Sequence, residues 1–393
     1  MNTDTLPSRV LAQSERYLSL LLSLAFVFSY YTRIGTAVIL LLCAWYLFWN
    51  GAVVLKNRWA LLLIGFFAAI TLKDCLMWLI GQGMFKSFAK SGSRVFILAG
   101  CAAMIASIER RKLENSLLIA LGVTALCLGI SFFLMRNGRI PRIFNPNAFG
   151  MLAGWFPLAF AARLRAEGGR KNCLFALGIL IAGFSLLFTD AFLSYASLPG
   201  SRTAPFAFVL GAIFVGFPRR WNPKIVAILI VFVSVVSVMV LSVSMNQRIN
   251  KVLAFRPELW SAYAAKGAER PMTGWGYTES EDNKRLLGDL LEGKSIFQEF
   301  HDVGLGPHNS FIAMFFENGI LAALVFIVLI VLRMSKFSNP PGIFDVSLMA
   351  YMGFMSADAM NPGGLTFLGF YLGICLLAFD HAKSVTMRGK ASL

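Results

Sequence analysis

The feature that most constrains this chain is its succession of apolar runs, each close to the length that spans a lipid bilayer. A spanning helix needs about 20 mostly apolar residues. Stretches near that requirement fall at 17–31, 34–50, 59–80, 94–108, 115–135, 144–162, 172–189, 203–217, 224–244, 310–332, 343–359 and 364–380. Lipid offers no hydrogen bonds to the backbone, so runs of this kind fold as helices whose N–H and C=O groups satisfy one another. Composition agrees: 57% of the 393 residues are hydrophobic and 14% are charged, whereas soluble domains carry about a quarter charged residues. The expected fold class is all-α, a polytopic membrane protein of about 12 transmembrane helices with a helical loop between helices 9 and 10. Residues 1–244 then hold helices 1–9, residues 245–309 the loop, and residues 310–393 helices 10–12 and a tail. The first run, Tyr17 to Tyr31, has no small-residue cleavage pattern after it and reads as a retained helix.

A net charge of +16 would point to nucleic acid in a soluble protein. Here the basic residues sit mostly in short clusters between apolar runs, which points to topology and anionic membrane lipids, with no nucleic acid. One set of connections carries Arg9, Arg16, Lys56, Arg58, Arg110, Arg111, Lys112, Arg163, Arg165, Arg170, Lys171, Arg219, Arg220, Lys224, Arg333, Lys336, Lys383, Arg388 and Lys390. The alternate connections carry only Arg33, Lys86, Lys90, Arg94, Arg136, Arg139, Arg142 and Arg202. The excess of positive charge on one side predicts that both termini are cytoplasmic and that the long segment 245–309 lies outside.

That outer segment reads as ordered. Pro257 suits the first turn of a helix through Ala268, with Leu259, Trp260 and Tyr263 as an apolar stripe. Thr278 and Glu281 form a capping-box pattern ahead of a second amphipathic helix through Leu286, Leu287, Leu290 and Leu291. Both helices are expected along the outer membrane face.

In this topology the helices near 144, 203 and 310 begin at the outer face, so their free N–H groups and positive dipole ends suit an anion. Each entrance carries polar residues: Arg142 with Asn145 and Asn147, Ser201 with Arg202, and His308 with Asn309 and Ser310. Arg256, opening the loop helix, adds another outer cation. Arginine suits a diphosphate because its planar fork donates two parallel hydrogen bonds and keeps its charge. A single outer arginine also fits lipid headgroups, and Arg202 also fits a pairing with Asp190. Of three histidines, His381 lies in the tail and His301 in the loop, while His308 enters a membrane helix, where an ionisable group is costly and usually functional. The alternative for His308 is a helix cap. Lys73-Asp74, within the third run, reads equally as a structural pair or as part of an outer pocket, and Glu317 is equally open. The Gly274-Trp-Gly276 stretch reads as a tight turn letting backbone approach a ligand or the membrane. The six cysteines lack metal-ligand spacing and no Asp-x-Asp occurs, so no metal and no cofactor are expected.

At these residues the sequence resembles the bacterial O-antigen ligase family, with its O-antigen polymerase and protein O-oligosaccharyltransferase relatives. The likeness rests on Phe144 to Gly150, Ser201-Arg202, Arg256 followed by Trp260, Pro271 to Gly276, and His308-Asn-Ser310 leading to Gly319. It implies transfer of a glycan from an undecaprenyl-diphosphate carrier to an acceptor at the periplasmic face of the inner membrane, without metal or nucleotide. In the ligases that acceptor is lipid A–core oligosaccharide. The resemblance assigns catalysis to Arg202, Arg256 and His308. Substrate-binding positions are then Arg142, Asn145, Asn147, Ser201, Asn309 and Lys73, with Arg136 and Arg139 beside acceptor phosphates. The compact outer loop looks more like a ligase; a polymerase, a protein-directed transferase and a lipid-linked substrate transporter are the alternatives.

Overall fold

Each apolar run folds as a helix, as the absence of backbone partners in lipid requires. The computed structural model describes residues 6–31, 34–136, 146–195, 204–216, 222–243, 256–278, 280–292, 306–355 and 367–378. Within them lie α1 Leu6–Tyr31, α2 Ile34–Val54, α3 Arg58–Leu79, α4 Phe85–Ser107, α5 Arg110–Arg136, α6 Pro146–Glu167, α7 Arg170–Tyr195, α8 Ala204–Gly216 and α9 Pro223–Val243. After them come α10 Arg256–Ala268, α11 Ser280–Leu291, α12 Ser310–Asn318, α13 Ile320–Met334, α14 Ile343–Met355 and α15 Phe367–Leu377. Six of these, α2, α3, α4, α5, α7 and α9, are each long and apolar enough to cross a membrane. Every one of the expected runs carries a helix, and the protein is an all-α polytopic membrane protein.

Large apolar side chains such as Leu41, Phe48, Phe175, Phe188, Phe232 and Leu321 point outward, as a lipid-facing surface demands. Inside, small residues let helices approach closely. A Cβ on Gly353 would lie 2.6 Å from Ala207 Cα, and one on Gly100 would lie 2.4 Å from Cys43 Cβ, so α14 meets α8 and α4 meets α2 nearly backbone to backbone. The end of the bundle where α5 begins is tied by charge. Arg163 Nη1 donates to Glu114 Oε2 at 2.6 Å, joining α6 to α5, and Arg333 Nη2 donates to Asp345 Oδ1 at 3.0 Å, joining α13 to α14.

Three expectations change. Helix α4 starts at Phe85 rather than near residue 94, so Lys86, Lys90 and Arg94 belong to a helix and not to a loop. Of its polar residues Ser87, Ser91 and Arg94 are buried against protein, while Lys86 is exposed. The run 310–332 is broken: α12 stops at Asn318 and α13 starts at Ile320, with Gly319 between them at φ +85°. The stripe Leu259, Trp260 and Tyr263 of α10 packs into a cluster with Ile312 and Phe316 of α12 and Val238 of α9, where the expectation had it against lipid. Closer to hand, the Thr278 hydroxyl bonds the Asn283 side chain.

Candidate functional site

Four segments distant in sequence converge where α3 ends and α4 begins. The turn after α10, Pro271 to Gly276, lies against the break between α12 and α13. Backbone bonds fix the pairing: Trp275 N donates to Phe316 O at 2.8 Å, Gly276 N to Glu317 O at 2.9 Å, and Ile320 N to Pro271 O at 2.7 Å. Both chains need glycine here. A Cβ on Gly274, at φ +67°, would lie 2.4 Å from the Glu317 carbonyl carbon, and one on Gly319 would lie 2.4 Å from Met272 O. The backbone that the Gly274-Trp-Gly276 turn approaches is therefore neither ligand nor membrane but the interrupted helix. Gly274→Ala combines a forbidden conformation with a clash against backbone, and should destabilise the fold by about 2–4 kcal/mol. Thermal melting in detergent checks this against Gly178→Ala, whose added Cβ meets nothing within 4 Å.

Lys73 of α3 closes this interlock. Its ammonium donates to Thr273 O at 3.0 Å, Glu317 O at 3.1 Å and Asn318 Oδ1 at 3.1 Å, and lies 3.0 Å from Asp74 Oδ1. An ammonium has three N–H bonds, and here all of them have acceptors within the chain. Lys73, expected at the substrate, is thus engaged in joining the turn to the helix break, and the Lys73-Asp74 pair is real.

Helix α4 supplies the opposite wall with a polar face that the sequence reading passed over: Ser87, Lys90, Ser91 and Arg94, spaced as neighbours on one side of a helix. Tyr277 N donates to Ser87 Oγ at 2.8 Å, and Lys90 Nζ sits 3.2 Å from the centre of the Tyr277 ring. Arg94, 4% exposed, has Nη2 3.9 Å from Glu317 Oε2. The spacing i, i+3, i+4, i+7 at the mouth of an apolar run was the available signal; starting the helix at residue 94 hid it.

His308 stands just before α12 with φ +43°, the only residue other than glycine at positive φ among the described residues. Histidine tolerates that region better than most residues, but such backbone strain is retained mainly at functional positions. It is not the cap of α12. Asn309 is: its Oδ1 accepts from Phe311 N at 2.9 Å and Ile312 N at 3.0 Å. Asn309, expected at the substrate, is wholly buried and occupied in this capping role. Ser310, also buried, is hydrogen-bonded to the Tyr351 hydroxyl of α14.

Arg256 opens α10, which packs on α12 through Tyr263 and Phe316, their ring centres 4.8 Å apart. Burial, with the Glu317 carboxylate near, raises the Tyr263 phenol above its usual range and keeps it protonated. Arg256 and His308 are therefore carried by helices in direct contact. Arg202, Ser201, Arg139, Arg142 and Asn145 lie outside the described residues, as do the side chains of Arg136 and Asn147. A cleft of 440 Å³ opens beside the interlock, lined by Met77, Gln82 and the 269–273 turn; neither His308 nor Arg256 lines it.

Comparison with known proteins agrees with this geometry. The sequence model of the family described as O-antigen ligase matches residues 191–327. That span runs from the end of α7 into α13, and contains the helices of Arg256 and His308 and the whole interlock turn, but neither α3 nor α4. A Rickettsia conorii protein whose given name includes the words polysaccharide ligase is 23% identical over 265 residues, which cover 63% of this chain and 61% of that protein. The many-helix membrane bundle, with the O-antigen ligase family's sequence pattern running through residues 191–327 and a polysaccharide-ligase relative of similar length matched, supports an O-antigen ligase family for this chain.

Proposed function

We propose that the protein is a glycosyltransferase that moves O-antigen glycan from undecaprenyl diphosphate to the lipid A–core oligosaccharide, at the periplasmic face of the bacterial inner membrane. The observation that carries this reading is that one family-matched span, 191–327, holds Arg202, Arg256 and His308, and that Arg256 opens α10 while His308 immediately precedes α12, two helices packed together. Arg202 and Arg256 clamp the donor diphosphate, with the helix entrances at Asn147 and Ser201 adding N–H donors. His308 takes the proton of the acceptor hydroxyl as its oxygen bonds to the anomeric carbon. The bond from that carbon to the diphosphate oxygen breaks, and undecaprenyl diphosphate leaves. Direct displacement inverts the anomeric configuration.

Diphosphate is a good leaving group, and fixed cations stabilise the charge that develops on it, so the reaction as proposed needs no metal and no organic cofactor. Arg136, Arg139 and Arg142 hold acceptor phosphates. The basic clusters in alternate connections support cytoplasmic N- and C-termini and an outer active site.

Proteoliposomes given carrier-linked glycan, with and without lipid A–core, test the reading. Glycan is expected on lipid A–core, at an undiminished rate in EDTA. Growth of glycan on the carrier alone would make the protein a polymerase instead. Movement of the carrier across the bilayer with no new glycosidic bond would make it a transporter, and loss of activity in EDTA would end the metal-free mechanism.

A further inference from the structure

Arg94 and Arg333 are the two arginines buried among the described residues, and they are held differently. Arg333 makes two hydrogen bonds to protein, whereas Arg94 makes none among the described residues. Its Nε donates to Cys375 O at 3.0 Å and its Nη2 to Asp345 Oδ1 at 3.0 Å, so α13, α14 and α15 meet through it. Among the described residues the guanidinium of Arg94 has only the Glu317 carboxylate at 3.9 Å, beyond hydrogen-bond reach, and its buried Nε has no partner there. A guanidinium carries five N–H donors. Leaving a donor unfilled away from water is costly, and such groups inside a membrane bundle are kept for function.

The surroundings favour an anion. Lys90 is one helical turn away on α4, Lys73 grips the carbonyl of Glu317, and the Ser310–Tyr351 hydroxyl pair lies within range of the Arg94 charge. Three cations, Lys73, Lys90 and Arg94, face two carboxylates, Asp74 and Glu317. Two of those cations have settled partners: Lys73 in the interlock, Lys90 on the Tyr277 ring. Arg94 is the one with a donor to give, and the Tyr351 hydroxyl that feels its charge bonds Ser310, two residues from His308.

We propose that Arg94 is a further substrate-binding residue, whose guanidinium holds a phosphate oxygen of the lipid diphosphate. This rests on the glycosyltransferase reading for its choice of ligand, and the test is arranged so that the two fail separately.

Full-length protein in neutral phosphatidylcholine nanodiscs is titrated with undecaprenyl diphosphate, which carries no glycan. Arg94→Gln is expected to weaken binding by about 10- to 100-fold, the worth of one charge-assisted contact, and to raise KM for the donor, with melting close to wild type. Arg94→Lys keeps the charge without the fork and recovers part of the affinity, and Glu317→Gln binds no more weakly than wild type. Arg333→Gln, in contrast, lowers the melting temperature.

Wild-type affinity in Arg94→Gln overturns the proposal. So do equal losses of melting temperature in Arg94→Gln and Glu317→Gln, which would mark a structural pair. If Arg94→Gln does not fold, Arg94→Lys decides: weakened binding supports the assignment and wild-type binding overturns it. Phosphatidylglycerol titrated in parallel separates the sources of phosphate, and an equal Arg94-dependent loss there assigns the residue to headgroups and overturns the donor role. Carrier binding that depends on Arg94, in a wild-type protein that transfers no glycan, would sink the proposed function and leave this inference standing.

Discussion

Replacing His308 with alanine is expected to lower glycan transfer by about two to four orders of magnitude, the usual contribution of a positioned general base. The fold should survive, because Asn309 caps α12 and the imidazole is not needed for that. His308→Asn sharpens the test. Asparagine also tolerates the left-handed backbone conformation found at this position, φ +43°, so it preserves the local geometry while removing the base. Both variants should melt within a few degrees of wild type and be comparably inactive. Wild-type transfer by either, measured with a saturating donor, would remove the proton-transfer role.

Lys73→Met is expected to act through the fold. Methionine keeps much of the apolar stem and removes the ammonium. Asp74, 5% exposed, then loses its counter-charge, and three oxygens of the interlock, on Thr273, Glu317 and Asn318, lose their common donor. Breaking one side of a buried ion pair costs about 3–5 kcal/mol, so melting should drop by several degrees and transfer should fall with it. Adding Asp74→Asn to Lys73→Met removes the stranded carboxylate, and should restore part of the stability but little of the transfer, because the turn and the helix break remain untied. A Lys73→Met protein that melts like wild type yet has lost transfer would place Lys73 at the substrate and defeat the tie.

The interlock explains why a loop and a helix break are kept so close in this membrane protein. Gly274 and Gly319 let two backbones pair where side chains would hold them apart, and Lys73 fixes the junction from a third helix. His308 sits at the start of a nine-residue helix whose far end is clamped this way. A short, doubly held helix would give the proposed base a rigid mount, which is what proton transfer at a fixed distance requires.

The helices were legible in the sequence because lipid leaves a long apolar run no other fold, and burial was not needed to find them. α10 was legible from Pro257 and its stripe. Arg256 and His308 stood out because a cation or imidazole beside an apolar run has few structural reasons to be there. Arg94 did not stand out. Its run begins with polar residues, and only the packing of α4 on the 271–277 turn and on α12 shows that they face protein and not water or lipid. The break at Gly319 was hidden for a similar reason: one glycine in an apolar run reads as an ordinary helix residue until a second backbone is found lying against it.

The class of fold, the order of the helices and the residue types available for chemistry are therefore written in the amino-acid order alone, since hydropathy and helical period act locally along the chain. The tertiary structure decided which of those residues are already occupied. Lys73 and Asn309 look from the sequence like substrate contacts and are engaged by the protein itself, whereas Arg94 looks like a loop charge and is buried with its Nε unfilled among the described residues. Hydrogen-bond satisfaction is a property of neighbours in space, and these neighbours are separated by up to 245 residues of chain.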